Sequence, residues 1–323
     1  MIRSASPITA NITVDALVAS IRRKASDFNK HPDVTTLFVD IPHECFVDID
    51  SLLCLLPSDS AIIDKFNVCL KHYDLTRLRP EGWLNDEIIN FFLKLCEERD
   101  ERISNQVSTW KSNAFMNSYF YFKLVECDGG FNFSNVASWT KNVNVFSCNH
   151  VFIPINFKNL HWALVVISMT SREIKYLDSV SKDGMEIMVN LNRWLVYESM
   201  AKRKTGLSPF TLRNISCPQQ DNSYDCGVFV LSFIDLISNN LPIDIMSQPM
   251  CDVIRKRLAY WIIKGDLVDY YSCFLKYVSI HDNQDFSVDQ SCMEVTWPPS
   301  VAGRIPSTTK QVSTHAISFV TRS

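Results

Sequence analysis

Ser216-Cys217-Pro218-Gln219-Gln220-Asp221-Asn222-Ser223-Tyr224-Asp225-Cys226-Gly227-Val228-Phe229-Val230 changes character in mid-stretch. Up to Asp225 it is rich in Pro, Asn, Ser and Asp, which favour turns over helix or strand interiors. From Cys226 onward, Cys226, Phe229, Val230, Phe233, Ile234 and Ile237 follow the spacing of one helical face. Val228, Leu231 and Leu236 cover the other sides, so the spacing predicts a central helix buried nearly all round. A cysteine therefore stands where a polar loop meets a buried helix. Unpaired N–H groups and the positive end of the helix dipole there favour a thiolate, the form that attacks carbonyls. Most cysteines are small apolar core residues, so position alone assigns Cys226 no chemistry. Partners elsewhere in the chain must do that.

The whole chain sets broad bounds. Its 323 residues, 46% hydrophobic, suffice for one large domain or two. A net charge of -3 carries no polyelectrolyte signature and points away from a nucleic-acid partner. The 11 cysteines are scattered singly, with no C-x-x-C pair, which suggests reduced thiols in the nucleus or cytoplasm. The N-terminus lacks an apolar run of signal-peptide length, and no segment approaches the ~18 apolar residues of a membrane span. His43 and Cys45 lie close in sequence, but two ligands without a second pair do not make a metal site.

Residues 1–65 read as an ordered extension or small subdomain, with an amphipathic helix from Val14 to Phe28 capped by Thr13. A strand is expected over Val34 to Ile41, and Asp48 to Leu56 is a short apolar run. A globular pattern begins at a short strand from Phe66 to Leu70, and a domain over 66–280 follows. Within it, Asn85 caps a helix from Asp86 to about Glu98. Val151 to Asn156, Ala163 to Ser168 and Glu173 to Asp178 read as consecutive strands of a central sheet. Helices are expected from Met185 to Lys202 and from about Met250 to Lys264. Residues 281–323 lack apolar periodicity and read as a flexible tail. The order of elements indicates a mixed α and β domain.

A thiol nucleophile needs a base, a group that orients the base, and donors for the oxyanion. Of seven histidines, His31, His43, His281 and His315 fall outside the domain, and His72 and His150 read as ordinary residues beside strands. His161, in Leu160-His161-Trp162, opens a strand, and the next strand ends in Tyr176-Leu177-Asp178-Ser179. If the two are adjacent and antiparallel, the start of one lies beside the end of the other. Asp178 could then accept from one nitrogen of His161 while the other faces the thiol. Gln220, in the loop before Cys226, offers an amide donor for an oxyanion hole. Taken singly, each has an ordinary explanation: a packed histidine, a turn aspartate, a solvated glutamine.

The segment from about Phe66 to Val278 resembles the ubiquitin-like-protein-specific cysteine proteases, particularly the SUMO-deconjugating, sentrin-specific type. Trp83-Leu84-Asn85-Asp86-Glu87-Ile88-Ile89-Asn90, Trp139-Thr140-Lys141, His161-Trp162, Tyr176-Leu177-Asp178-Ser179 and Pro218-Gln219-Gln220…Asp225-Cys226-Gly227 carry the likeness, in that order. The resemblance implies an α+β, papain-like (adenain-like) fold, a central mixed sheet flanked by helices with the nucleophile at the start of a buried one. It implies Cys226 as nucleophile, His161 as general base and later acid, Asp178 as orienting carboxylate and Gln220 as oxyanion donor. It also makes Trp83 and Trp162 the walls of a tunnel for a di-glycine tail, which fits glycine's lack of a side chain. Asp86 would pair with a basic group on the modifier, although a carboxylate in a helix's first turn is also ordinary.

The implied activity is hydrolysis after the C-terminal Gly-Gly of a SUMO-type modifier, releasing it from lysine or maturing its precursor. No metal or organic cofactor is implied. The implied partners are that modifier and its conjugates, with no nucleic acid or membrane, and the implied state is a monomer in the nucleus or cytoplasm. Alternatives are the same chemistry on ubiquitin or another ubiquitin-like modifier, or an acyltransferase built on the same triad.

Overall fold

The computed structural model describes residues 13–28, 37, 41–125, 130–204 and 208–267. The chain divides into Met1–Val278 and Ser279–Ser323, and every described residue lies in the first unit. The expected tail over 281–323 lies outside the described residues, as does the expected strand over 34–41 apart from Leu37 and Ile41.

Two helices come first, Val14–Phe28 (α1) and His43–Cys54 (α2). The hydroxyl of Thr13 accepts the N–H of Ala16, the N-cap bond expected of it. In α2, Cys45, Ile49, Leu52 and Leu53 form one buried helical face, so the apolar run after Asp48 is the second half of a helix. His43 is exposed and Cys45 fully buried, so the two do not converge. Next come the antiparallel strands Ala61–Lys65 (β1) and Val68–Lys71 (β2). Phe66 and Asn67, expected within a strand, form the turn between them with φ 59° and 58°. Positive φ at both central residues is the two-residue hairpin that matches strand twist.

The short helix His72–Leu75 (α3) leads to Asp86–Gln106 (α4), where Asn85 Oδ1 accepts the N–H of Ile88 at 3.2 Å. This helix outruns its expected end at Glu98. Its last turns look too charged to be core, yet Arg99 and Asp100 are buried. Arg99 pairs with Asp235 at 2.5 Å, and Asp100 accepts from Trp110 and Asn113. Buried charges persist where they are paired and hydrogen-bonded, and here pairing carries the helix onward.

The main sheet holds Ala114–Phe115 (β3), His150–Asn156 (β4), Trp162–Ser168 (β5), Glu173–Leu177 (β6) and Thr211–Ile215 (β7), in that order across the sheet. The outer pairings are parallel and the two inner ones antiparallel. Strand β5 is buried along its whole length because both faces are covered. Trp162, Leu164 and Val166 belong to a core with Cys226–Ser238 (α7) and Cys251–Lys264 (α8). The alternate residues Ala163, Val165 and Ile167 face Tyr119–Val125 (α5) and Met185–Ala201 (α6). Side-chain alternation along one strand thus supplies two cores.

The first of these cores also takes Leu17, Val18 and Ile21 of α1 and the buried face of α2. Leu37 is buried there, its N–H donated to Asp235 Oδ2 at 2.9 Å and its carbonyl accepting from Arg257 at 2.9 Å. The described part of the expected 1–65 extension therefore shares its core with the helix that carries Cys226.

Candidate active site

Cys226 is the first residue of α7 and is 2% exposed. The helix start presents unpaired N–H groups to its surroundings. The loop before it is anchored by Asp225, which is buried and accepts from Arg255 through two guanidinium nitrogens at 2.6 and 3.0 Å. Asn222 and Gln248 also donate to the carboxylate, at 2.8 and 2.7 Å. Arg255 in turn donates to the carbonyls of Arg77, Arg79 and Tyr224. One residue of α8 thus ties the cysteine loop to the segment that leads into Trp83. Sequence spacing places Arg255 on a helix but gives it no partner.

His161 follows a tight connection between β4 and β5, in which Lys158 and Asn159 take φ 54° and 60°. The N–H of Phe157 donates to the His161 carbonyl at 2.9 Å, and the Phe157 ring stacks on the imidazole with centroids 5.7 Å apart. Strands β5 and β6 pair antiparallel, with Leu164 opposite Leu177. That register brings the start of one beside the end of the other, and His161 Nε2 lies 2.9 Å from Asp178 Oδ1. With Nε2 committed to Asp178, Nδ1 is the ring nitrogen left for Cys226, whose interaction with the imidazole favours the charged ring.

Burial disfavours the imidazolium, but the hydrogen bond to Asp178 and the interactions with Asp178 and Cys226 push His161 up from 6.5 to about 9. Burial likewise works against ionisation of Asp178. The His161 bond, the N–H of Val180 at 2.8 Å and the Tyr176 hydroxyl at 2.9 Å outweigh it and hold the carboxyl below its ordinary value. The result is a fixed line from Asp178 through His161 to Cys226, with the charged form of the imidazole favoured.

Sequence spacing alone gives Tyr176 and Gly184 no supporting role, but the structure does. A Cβ at Gly184 would stand 2.1 Å from the Tyr176 ring, so only glycine lets that ring sit where its hydroxyl reaches Asp178.

Gln220 is held beside the end of β6: its N–H donates to the Ser179 carbonyl at 2.9 Å, and its Oε1 accepts from the Ser179 hydroxyl at 2.7 Å. Its neighbour Gln219 donates to the Asp178 carbonyl at 3.1 Å.

Trp162 is 4% exposed, and its Nε1 donates to the Leu84 carbonyl at 2.9 Å. Trp83, next to Leu84, is 36% exposed. Asp86 Oδ1 accepts from the Ser118 hydroxyl at 2.6 Å, and Oδ2 from Asn156 at 3.4 Å. His72, read as an ordinary strand neighbour, is fully buried between Ser58 and the Leu52 carbonyl. His150 bonds Asn113, and burial depresses it to about 4. Neither His72 nor His150 is bonded into the line of Cys226. No group of three or more His, Cys, Asp or Glu converges on a metal position among the described residues.

Comparison with known proteins bears on this arrangement. Residues 82–267 match the Ulp1 protease family, C-terminal catalytic domain. Sentrin-specific protease 2 of Rattus norvegicus is 33% identical over 217 residues, covering 66% of this chain and 35% of the rat protein. A sentrin-specific protease of Caenorhabditis elegans is 30% identical over 256 residues, covering 76% of this chain and 33% of its own. The chain thus spans about a third of the length of these curated relatives. Among solved structures, the C-terminal Ulp1 protease domain in complex with Smt3, the yeast ortholog of SUMO, superposes with a TM-score of 0.61 at 26% identity. It covers 71% of this chain and 98% of that domain. A structure of Ulp1 with its catalytic cysteine oxidised to a sulfenic acid gives 0.60 at 28% identity, covering 71% and 97%. Because the family match runs unbroken through every candidate residue from Trp83 to Cys226, this chain belongs to the Ulp1 protease family through its C-terminal catalytic domain.

Proposed function

We propose that the chain is a cysteine protease that hydrolyses the bond after the C-terminal Gly-Gly of a SUMO-type modifier. The observation that carries the reading is the 2.9 Å Asp178–His161 hydrogen bond, which orients an imidazole that interacts with Cys226 at the start of a buried helix. A solved neighbour of the same fold was crystallised with Smt3, which supports the choice of modifier.

Asp178 keeps Nε2–H of His161 pointed at itself, so Nδ1 receives the thiol proton. The sulfur of Cys226 adds to the carbonyl carbon of the last glycine, and the carbonyl electrons move onto oxygen. The Cys226 N–H and the Gln220 amide stabilise that oxyanion. His161 then passes its proton to the leaving nitrogen, the C–N bond breaks, and a thioester remains. Water attacks the thioester while His161 takes its proton, giving the modifier's free carboxylate and the thiol.

Trp83 and Trp162 select a tail without side chains, and Asp86 offers a carboxylate to a basic group of the modifier. The leaving amine is a lysine side chain or a short C-terminal extension. The protein acts as a monomer in the nucleus or cytoplasm.

Cys226→Ser in the full chain tests the proposal. Loss of cleavage with retained binding of the SUMO-type modifier is expected, and undiminished cleavage overturns the assignment.

A further inference from the structure

Asp178 and Ser179 are consecutive, and they serve different halves of the site. Asp178 orients the imidazole. Ser179 takes no part in that line. It is buried, and it holds Gln220 twice: its carbonyl accepts the Gln220 N–H at 2.9 Å, and its hydroxyl lies 2.7 Å from Gln220 Oε1.

The direction of the Gln220 amide follows from which groups can donate. The Asn222 carbonyl can only accept, so the group 2.5 Å from it is the amide nitrogen Nε2. Oε1 then faces Ser179, whose hydroxyl must donate. A primary amide carries two N–H bonds, and the Asn222 carbonyl takes one. The second is the one available to an oxyanion. Without the Ser179 hydroxyl, Oε1 loses its donor and the side chain is left to pivot on the Asn222 contact alone.

We propose that Ser179 is the positioning residue of the oxyanion site: it fixes the Gln220 amide so that its second N–H is presented to the developing charge. This rests on the reading of the chain as a cysteine protease. One short segment at the end of β6 thereby aligns both the base, through Asp178, and the oxyanion donor, through Ser179. The arrangement couples the two through consecutive residues of one segment.

The test compares the wild-type 323-residue chain with Ser179→Ala, Ser179→Thr, Gln220→Ala and the Ser179→Ala/Gln220→Ala double variant. Each is assayed for kcat and KM on SUMO carrying a C-terminal coumarin amide. Ser179→Ala is expected to lower kcat roughly tenfold or more, below the ~10²–10³-fold ceiling for losing an oxyanion donor outright, with KM unchanged. Ser179→Thr restores the rate, and the double variant is no slower than Gln220→Ala. A wild-type kcat in Ser179→Ala, or losses that multiply in the double variant, overturns the proposal. A second readout needs no turnover: the side-chain amide resonances of Gln220 in nitrogen-15-labelled protein. They are expected to move toward free-amide positions in Ser179→Ala and to return in Ser179→Thr. Unchanged resonances in Ser179→Ala also overturn the proposal. If the wild-type chain leaves the SUMO substrate uncut, the reading of function fails, while the resonances still decide the role of Ser179.

Discussion

The indole of Trp162 donates to the backbone carbonyl of Leu84 at 2.9 Å, which locks the residue after His161 to the residue after Trp83. Leu84 is held from the other side as well. A Cβ at Gly227 would lie 2.9 Å from the Leu84 Cβ, so the backbone following Cys226 presses directly on this side chain. Nucleophile helix, base strand and tryptophan loop therefore meet at Leu84.

Gly227→Ala is expected to force that contact apart. Overpacking of this kind costs about 1–3 kcal/mol. The shift falls on the loop carrying Trp83, so KM for a di-glycine-tailed substrate should rise as the melting temperature drops. Steady-state kinetics alongside thermal melts would check both effects.

The Asp178–His161 bond sets the pH behaviour. The folded His161 titrates at about 9 against an ordinary 6.5, so the charged imidazole is favoured by folding. Its stabilising contribution is complete below about 6.5 and disappears as pH rises through about 9. Cleavage should accordingly fall on the alkaline side near pH 9, where His161 can no longer protonate the leaving amine. Asp178→Asn removes the carboxylate that raises His161, so this limb should move to lower pH. The rate at neutral pH should drop by roughly 10²–10⁴-fold, the usual contribution of a positioned acid–base group. A pH–rate profile of both proteins is the check, and an alkaline limb that stays in place would exclude this role for Asp178.

Cys226, His161 and Asp178 are legible in the sequence because strand order and helical period place residues without any knowledge of packing, whereas Trp83, Trp162 and Asp86 are marked only by the family resemblance. Two short runs and a turn mark β5 and β6 as consecutive strands, and their antiparallel pairing in the structure brings Asp178 to His161. The start of α7 was marked where a polar loop gives way to an apolar helical face. What stayed hidden depends on partners distant in sequence. Arg255 looks like one more charge on an amphipathic helix until Asp225 is seen against it. The charged end of α4 reads as solvent-facing because Asp235 lies 136 residues away. Phe66 fits a strand by composition, and only its φ of 59° makes it a turn residue.

Arg255→Met tests the anchor of the cysteine loop. Both partners of the Asp225–Arg255 pair are almost fully buried, and the substitution leaves Asp225 without its cation. Breaking such a pair costs about 3–5 kcal/mol. Denaturant unfolding should show that loss, and cleavage should weaken further because the loop from Gln220 to Asp225 loses its tether. Asp225→Asn with Arg255→Met should recover part of the stability, since no uncompensated charge remains.

Removal of residues 1–65 is expected to compromise the unit that carries Cys226, although the family match begins only at residue 82. Ile21, Leu37, Ile49, Leu52 and Leu53 would leave the core shared with α7 and α8. Each buried side chain of this kind contributes about 1.5–3 kcal/mol. A chain beginning at Phe66 should aggregate or unfold without a sharp transition, whereas one beginning at Ile12 should melt cooperatively. Equal melting of the two would show that the extension is dispensable.

In the proposed reaction, Cys226 attacks the carbonyl at the end of a SUMO-type Gly-Gly tail. That attack is read out by incubating the full chain with probes of SUMO and of ubiquitin that each carry an electrophile in place of the terminal carboxylate. Mass spectrometry of the adducts should find the SUMO probe on Cys226, with labelling lost in Cys226→Ser. Labelling of Cys226 by the ubiquitin probe and not by the SUMO probe would overturn the assignment of a SUMO-type substrate.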